Sequence, residues 1–181
     1  SPQSSAALGI AVSYPHPAIL PDMSVLEHLR VSLPARLFAK GDARVIARDM
    51  LDGVGRHVPR GMRADGLTVA QKHLLELAKA LAVEPKVLIL DEPTAALDKD
   101  ATEMLFERVR QLKAQGTAII YITHRLAELR QIADRVSVLR DGRKRGEGLV
   151  SELSNKDLLG MIVGRQLEYA FPPKSADAAP Q

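Results

Sequence analysis

Val87-Leu88-Ile89-Leu90-Asp91-Glu92-Pro93-Thr94-Ala95-Ala96-Leu97-Asp98 is the stretch on which the fold turns. Four apolar residues in a row read as a short strand buried on both faces, the pattern of a parallel sheet covered by helices. Two acids follow immediately, then a proline that ends the strand. In an open α/β sheet the carboxyl ends of the strands are where ligands bind. Acids at such an end are costly unless they meet a cation or a reacting water. An Asp there suits Mg²⁺, and the Glu after it suits polarising a water for attack on a phosphate. Asp91 and Glu92 therefore stand as candidate metal ligand and general base. Asp98 has the side chain of a helix N-cap.

Upstream, Leu74, Leu75, Leu77, Ala78, Leu81 and Ala82 recur at helical spacing from Thr68 to Glu84-Pro85. Before that, Ser24 caps a helix with Val25, Leu29 and Val31 as apolar positions, and a second helix runs from Asp42 to Leu51 with Val45, Ile46, Met50 and Leu51. Gly53 to Gly66 reads as a loop, and Pro15, Pro17 and Pro21 enforce another around His16. Leu8 to Val12 reads as a buried strand after the small polar residues Ser1 to Ala7. Downstream, a helix from Ala101 to Gln115 turns Met104, Leu105, Val109 and Leu112 inward and stops at Gly116. Strand Ala118–Ile122, helix Leu126–Ala133, strand Arg135–Leu139, the turn Asp141-Gly142 and a returning strand follow. Ser154 caps a last helix with Leu158, Leu159, Ile162 and Val163 inward, and residues 172–181 read as a frayed tail. Alternating strands and helices predict a parallel α/β sheet with right-handed crossovers, Arg135–Leu139 continuing the series.

The 181 residues are 46% apolar and 26% charged, enough to bury one core but too few for two full-sized domains. There is no cysteine, which removes disulfides, thiolate metal sites and a thiol nucleophile from consideration. A net charge of +3, with aromatics at 3% and no Trp, is a poor match to a nucleic-acid interface, so no nucleic acid is expected as partner. The basic cluster Arg140, Arg143, Lys144 and Arg145 reads as a solvated hairpin. No apolar run is long enough for a membrane span, and the first residues lack the basic flank and apolar run of an export signal.

Val87 to Asp98 resembles the Walker B and D-loop segment of ATP-binding cassette ATPases. Tyr121-Ile122-Thr123-His124-Arg125 resembles that family's switch-histidine segment, and Leu67-Thr68-Val69-Ala70-Gln71 stands where the family has its signature Leu-Ser-Gly-Gly-Gln. Order and spacing of the three agree. Ile132 to Val136, Arg140 to Arg143, Met161 to Arg165 and the sequel around Phe171-Pro172 resemble the first cassette of the ATPase subunits of bacterial monosaccharide importers.

The resemblance implies a partial P-loop NTPase, RecA-like, with a parallel sheet and a helical signature subdomain. It implies ATP and Mg²⁺ as cofactors, held at Asp91, with Glu92 and His124 catalytic. Leu67, Thr68, Val69, Ala70, Gln71 and Asp98 would bind nucleotide across a dimer. The organisation it implies is 1–21 for the first strand and glutamine-loop equivalent, 22–83 for the helical subdomain, 84–150 for the core, 151–172 for a closing helix and linker, and 173–181 for a tail. Implied partners are a second cassette, a membrane permease and, indirectly, a periplasmic sugar-binding protein, at the cytoplasmic face of the inner membrane.

Three departures qualify this. Nowhere is there Gly-x-x-x-x-Gly-Lys-Ser/Thr, and no glycine precedes a lysine. Walker A and the antiparallel strands that accompany it are thus missing, as in a cassette truncated at its N-terminus, and the isolated chain is expected to be inactive. Pro15 stands where the family has the loop glutamine, and Val69 and Ala70 replace both signature glycines. An alternative reading is therefore a degenerate, non-catalytic half-cassette acting as an interaction module. A cassette ATPase of DNA repair or translation is a weaker third.

Overall fold

The computed structural model describes residues 2–39, 41–54, 58–59 and 61–163. It divides into two compact units, Ser1–His124 and Arg125–Gln181. Gly55, Arg56, His57 and Arg60 of the expected loop, Gly164-Arg165, the link at Phe171-Pro172 and the tail lie outside the described residues.

The first unit is built on a three-stranded parallel sheet in the order β1 (Ile10–Ser13), β2 (Val87–Asp91), β3 (Ala118–Ile122). A short helix, α1 (Pro2–Ala7), precedes β1, where composition alone suggested no element. The expected first strand begins two residues late, at Ile10 instead of Leu8, because Leu8 and Gly9 close a turn onto α1 through Ser5 and Ala6 carbonyls.

Between β1 and β2 runs a helical block: α2 (Val25–Ser32), α3 (Ala43–Asp52) and α4 (Val69–Ala82), with 3₁₀ turns at Ala35–Phe38 and Ala64–Gly66. Each helix starts where a short polar side chain satisfies the free amides of the first turn. Ser24 and Glu27 form a reciprocal capping box: Glu27 N donates to Ser24 Oγ at 3.3 Å, and Ser24 N donates to Glu27 Oε2 at 2.8 Å. The Ser24 hydroxyl, which donates to Glu27 Oε2 at 2.7 Å, and the Ser24 amide hold the Glu27 carboxyl below the usual carboxylate range. Asp42 caps α3 through Arg44 N at 2.8 Å. Thr68 and Gln71 form the second capping box, at the head of α4.

The register Ala11–Leu88–Ile119 and Ser13–Leu90–Tyr121 sets one row of side chains on one sheet face. Leu88 and Leu90 are fully buried there, and Ala11 and Ser13 nearly so. α4 packs on β1 and α5 (Lys99–Ala114) packs on β3, supplying the cover. Each fully buried Leu contributes on the order of 1.5–3 kcal/mol. The other row is different. Val87 and Ile89 are half-buried, and Ile120 and Ile122 are 51% and 45% exposed. The unbroken apolar run of β2 predicted a strand covered on both faces, whereas among the described residues one face is covered and the other is largely open.

Asp98 caps α5 as its side chain suggested, and Gly116 ends the following turn at φ +93, a conformation that costs a glycine least. Leu105, Val109 and Leu112 are buried as expected, but Met104 is 42% exposed and its neighbour Phe106 takes the inward place. Val31, Val45, Ile162 and Val163 are likewise exposed instead of inward. At each of these helices the buried stripe is narrower than the run of apolar residues.

The second unit contains α6 (Leu126–Ile132), β4 (Arg135–Arg140), β5 (Arg143–Leu149) and α7 (Asn155–Val163). β4 does not continue the parallel sheet; it pairs antiparallel with β5 in a sheet of its own. The alternation Arg135 out, Val136 in, Ser137 out, Val138 in is that of a strand with one buried face. Asp141 and Gly142 have φ of +53 and +68, the two left-handed residues that a two-residue hairpin turn needs. Leu129, Val136, Val138, Val150 and Leu158 form this unit's core. Arg130 ties α6 to the chain after β5 by donating to the Val150 and Leu153 carbonyls and to Asn155. No helix among the described residues is long and apolar enough to cross a membrane.

Candidate functional site

Because β1, β2 and β3 are parallel, their carboxyl ends lie along one edge of the sheet, and Asp91 is in register with Ile122. The segments just past those ends are Tyr14-Pro15-His16, Glu92-Pro93 and Thr123-His124. Glu92 leaves the strand in the left-handed region, at φ +48. A non-glycine residue there is strained, by about 1–3 kcal/mol, and such residues cluster at functional sites. Its amide is held by the Ile122 carbonyl at 3.0 Å, and its own carbonyl accepts from Ala95 N at 3.1 Å, so both sides of the strained residue are pinned. Thr94, fully buried, anchors the turn behind it.

The pinned backbone aims the Glu92 side chain at β3's end. Glu92 Oε1 lies 2.8 Å from His124 Nδ1. An ionised carboxylate only accepts, so Nδ1 carries the proton in this pair and donates it. The second oxygen, Glu92 Oε2, is buried and has no hydrogen-bond partner. Orphaned carboxylate oxygens are expensive when buried, which makes this atom a ready acceptor for a water or a ligand donor. The Glu92 side chain is 25% exposed and that of His124 75%, so the pair faces solvent on the histidine side.

Asp91, half-buried at the last position of β2, is the adjacent carboxylate. Among the described residues there is no group of three or more His, Cys, Asp or Glu side chains placed to hold a metal. A cation here would thus draw one protein carboxylate and complete its sphere with water and phosphate oxygens, the habit of Mg²⁺ at phosphoryl-transfer sites. Asp98 accepts from Ala101 N at 2.9 Å through Oδ1 and from the Thr102 hydroxyl at 2.8 Å through its carbonyl. Its capping role is plain; it is turned into α5 at that oxygen.

The segment 67–71 has its own address, the N-terminus of α4. Thr68 N donates to Gln71 Oε1 at 2.9 Å and Gln71 N to Thr68 Oγ1 at 3.2 Å, so both polar side chains are spent on the cap. Leu67 is buried at 4% exposure. Val69 is 65% exposed, its isopropyl group standing at the helix's first turn, and Ala70 is half-buried behind it. The structure therefore brings Asp91, Glu92 and His124 to one edge and keeps 67–71 on a separate helix end. What the sequence did not signal is the φ of Glu92, whose amide is held by the Ile122 carbonyl of a different strand, and its orphaned oxygen.

Comparison with known proteins agrees with this architecture. The ABC transporter family model matches residues 2–95. The D-allose import ATP-binding protein AlsA of Escherichia coli is 37% identical over 174 residues, covering 92% of this chain and 34% of its own. The ribose import ATP-binding protein RbsA of Roseobacter denitrificans is 37% identical over 180 residues, covering 97% and 35%. The chain thus spans about a third of the length of the curated relatives it matches. Two dimeric structures of the ATP-binding cassette MJ0796 share the fold. One, a post-hydrolysis state bound to ADP and Pi, has a TM-score of 0.68 at 22% identity over 78% of this chain and 62% of that one. The other has a TM-score of 0.71 at 19% identity over 82% and 66%. With more than half of its residues matched by the family model, this chain belongs to the ABC transporter family.

Proposed function

We propose that this chain is the carboxyl-terminal portion of the nucleotide-binding domain of a sugar importer, carrying the residues that activate water during ATP hydrolysis. One observation carries the reading: Glu92 is held on one oxygen by His124 at 2.8 Å while the other oxygen is buried and unpartnered. In this role Oε2 accepts a hydrogen bond from the attacking water and takes its proton as the water oxygen bonds to the γ-phosphorus and the bond to the β–γ bridging oxygen breaks, that oxygen leaving on ADP. His124, its side chain 75% exposed, fixes the carboxylate's orientation through Nδ1, and its Nε2 would be the atom that meets the phosphate. Asp91 would hold Mg²⁺, which when bound neutralises charge developing on the phosphate oxygens. The orphaned oxygen and the neighbouring acid fit that assignment. The importer names of AlsA and RbsA support a sugar as cargo and a membrane permease as docking partner, and the dimeric MJ0796 cassettes support a second cassette across the site. They leave the binding protein to inference from the same analogy. In that assembly the head of α4 presents backbone amides and its positive dipole end to a nucleotide on the partner cassette.

A second reading has one observation in its favour. The exposed Val69 side chain, with both signature glycines replaced, crowds the place where an anion would approach the α4 amides. That favours a half-cassette which docks but does not turn over at its own signature.

The 181-residue chain, which contains no Gly-x-x-x-x-Gly-Lys loop, lacks the charge-assisted hydrogen bonds to the phosphates, each worth about 1.5–3 kcal/mol. Isothermal titration of the chain alone with Mg-ATP is expected to give no micromolar binding. A dissociation constant in the micromolar range would overturn the assignment of phosphate gripping to a loop outside this chain.

A further inference from the structure

His28 lies on α2 inside the helical block and is 1% exposed, yet neither Nδ1 nor Nε2 has a hydrogen-bond partner. A ring with two orphaned nitrogens in an apolar setting is stable only as the neutral species, since the imidazolium would bury a charge without a counter-donor or acceptor. Two charged groups bear on it, both from α4. They are Glu76 and Lys79, which pair with each other at 2.9 Å and are themselves 8% and 15% exposed. The Glu76 carboxylate is occupied by Lys79 and is not bonded to the imidazole. α3, which packs on both α2 and α4, turns Ala47 and Leu51 inward, and its Arg44, Arg48, Asp49 and Asp52 are exposed. On α2 itself Glu27 is tied to Ser24, and Arg30 is exposed.

We propose that His28 is a proton-sensitive strut of the helical block: neutral, it seats α2 against α3 and α4, and its protonation in mild acid loosens those helices while the second unit is unaffected. The proposal is independent of the ATP reading.

The energetics run in one direction. Burial first, and Lys79 next, hold the His28 pKa below its ordinary 6.5, against a smaller opposing pull from Glu76. The opened state, with an ordinary imidazole, binds the proton before the folded state does. Stability from this residue is therefore complete above about pH 6.5 and is lost as the pH falls below it, by at most about tenfold in the opening constant per pH unit. His73, half-buried on α4, is lowered by burial and by the facing His16, with Glu76 again opposing, so it adds in the same sense.

The test uses amide hydrogen exchange on the full chain at pH 7.0 and 5.5, corrected for the intrinsic pH dependence, with the β4–β5 hairpin as internal reference. Protection in residues 25–32 and 69–82 is expected to fall by up to about tenfold more in the native chain than in His28→Leu, while the hairpin keeps its protection. An equal fall in both chains would overturn the proposal. Should the Leu variant fail to fold, His28→Gln, polar but without a proton to gain, serves in its place with the same expectation. A direct reading needs no variant: in the native chain the His28 ring resonances are expected to stay at their neutral shifts down through pH 6.5, and titration at or above that value contradicts the strut.

Discussion

On the function proposed above, Glu92→Gln, assayed with a phosphate-binding loop supplied, is expected to lower ATP turnover by about 10²- to 10⁴-fold, the contribution of a positioned general base. Nucleotide affinity should change little, because the amide keeps the shape of the carboxylate and the phosphates are gripped elsewhere. The prediction is specific to this residue for a structural reason. The left-handed backbone of Glu92, pinned at its amide by Ile122 and at its carbonyl by Ala95, fixes where the carboxylate goes, and a Gln side chain occupies the same place. What Gln lacks is basicity at the orphaned oxygen. It also alters the contact with His124 Nδ1, which lies 2.8 Å from Oε1. Steady-state ATPase kinetics with parallel nucleotide-binding measurements check this. An unchanged rate would take the base role from Glu92 and leave the half-cassette reading in possession.

Phe106→Ala is expected to destabilise the first unit by about 3–5 kcal/mol, the usual range for removing a buried aromatic ring. Phe106 is 1% exposed, on the inward face of α5, and its ring meets Tyr121 of β3 edge to face with centroids 6.3 Å apart. The pair is the seam between α5 and the strand that delivers His124. Deleting it leaves a cavity and cuts α5 loose from β3. Since single domains are stable by only about 5–15 kcal/mol, a loss of this size unfolds a sizeable share of molecules under mild denaturant. Met104→Ala on the same helix, at 42% exposure, should cost within about 0.5 kcal/mol. Urea unfolding of the two variants beside the native chain reads the difference. Equal midpoints would mean that the α5–β3 seam does not hold the unit together.

How much of this was written in the sequence depends on whether a feature is local. Helix starts were legible, because Ser24, Asp42, Thr68 and Asp98 cap through atoms two or three residues away. The strand at 87–91 and the acids at its end were legible for the same reason. Pairing was not. Arg135–Arg140 reads as a strand whatever its partner, and only its alternation, Val136 and Val138 inward between Arg135, Ser137 and Leu139, hinted at a two-stranded sheet with one wet face. Helix faces were half legible. Met104 and Phe106 are both apolar on α5, and it is Phe106 that turns inward, where it meets Tyr121 on another element. At the site, residue types named Asp91, Glu92 and His124, but the hold of the Ile122 carbonyl on the Glu92 amide and the unpartnered Glu92 Oε2 are tertiary features that no local pattern announces. The family pattern named Leu67 by its position before α4, and that position says nothing of its side chain, which is buried.

Glu92 and His124 act jointly in the proposed function, and a double-mutant cycle of Glu92→Gln and His124→Ala on ATP turnover measures that. If the histidine acts by holding the base, each single change lowers the rate and the double variant is no slower than the slower single, the non-additivity of residues that work as a unit. Losses that multiply, with the double variant slower than either by the product of the two, would show that the 2.8 Å contact couples nothing in the reaction.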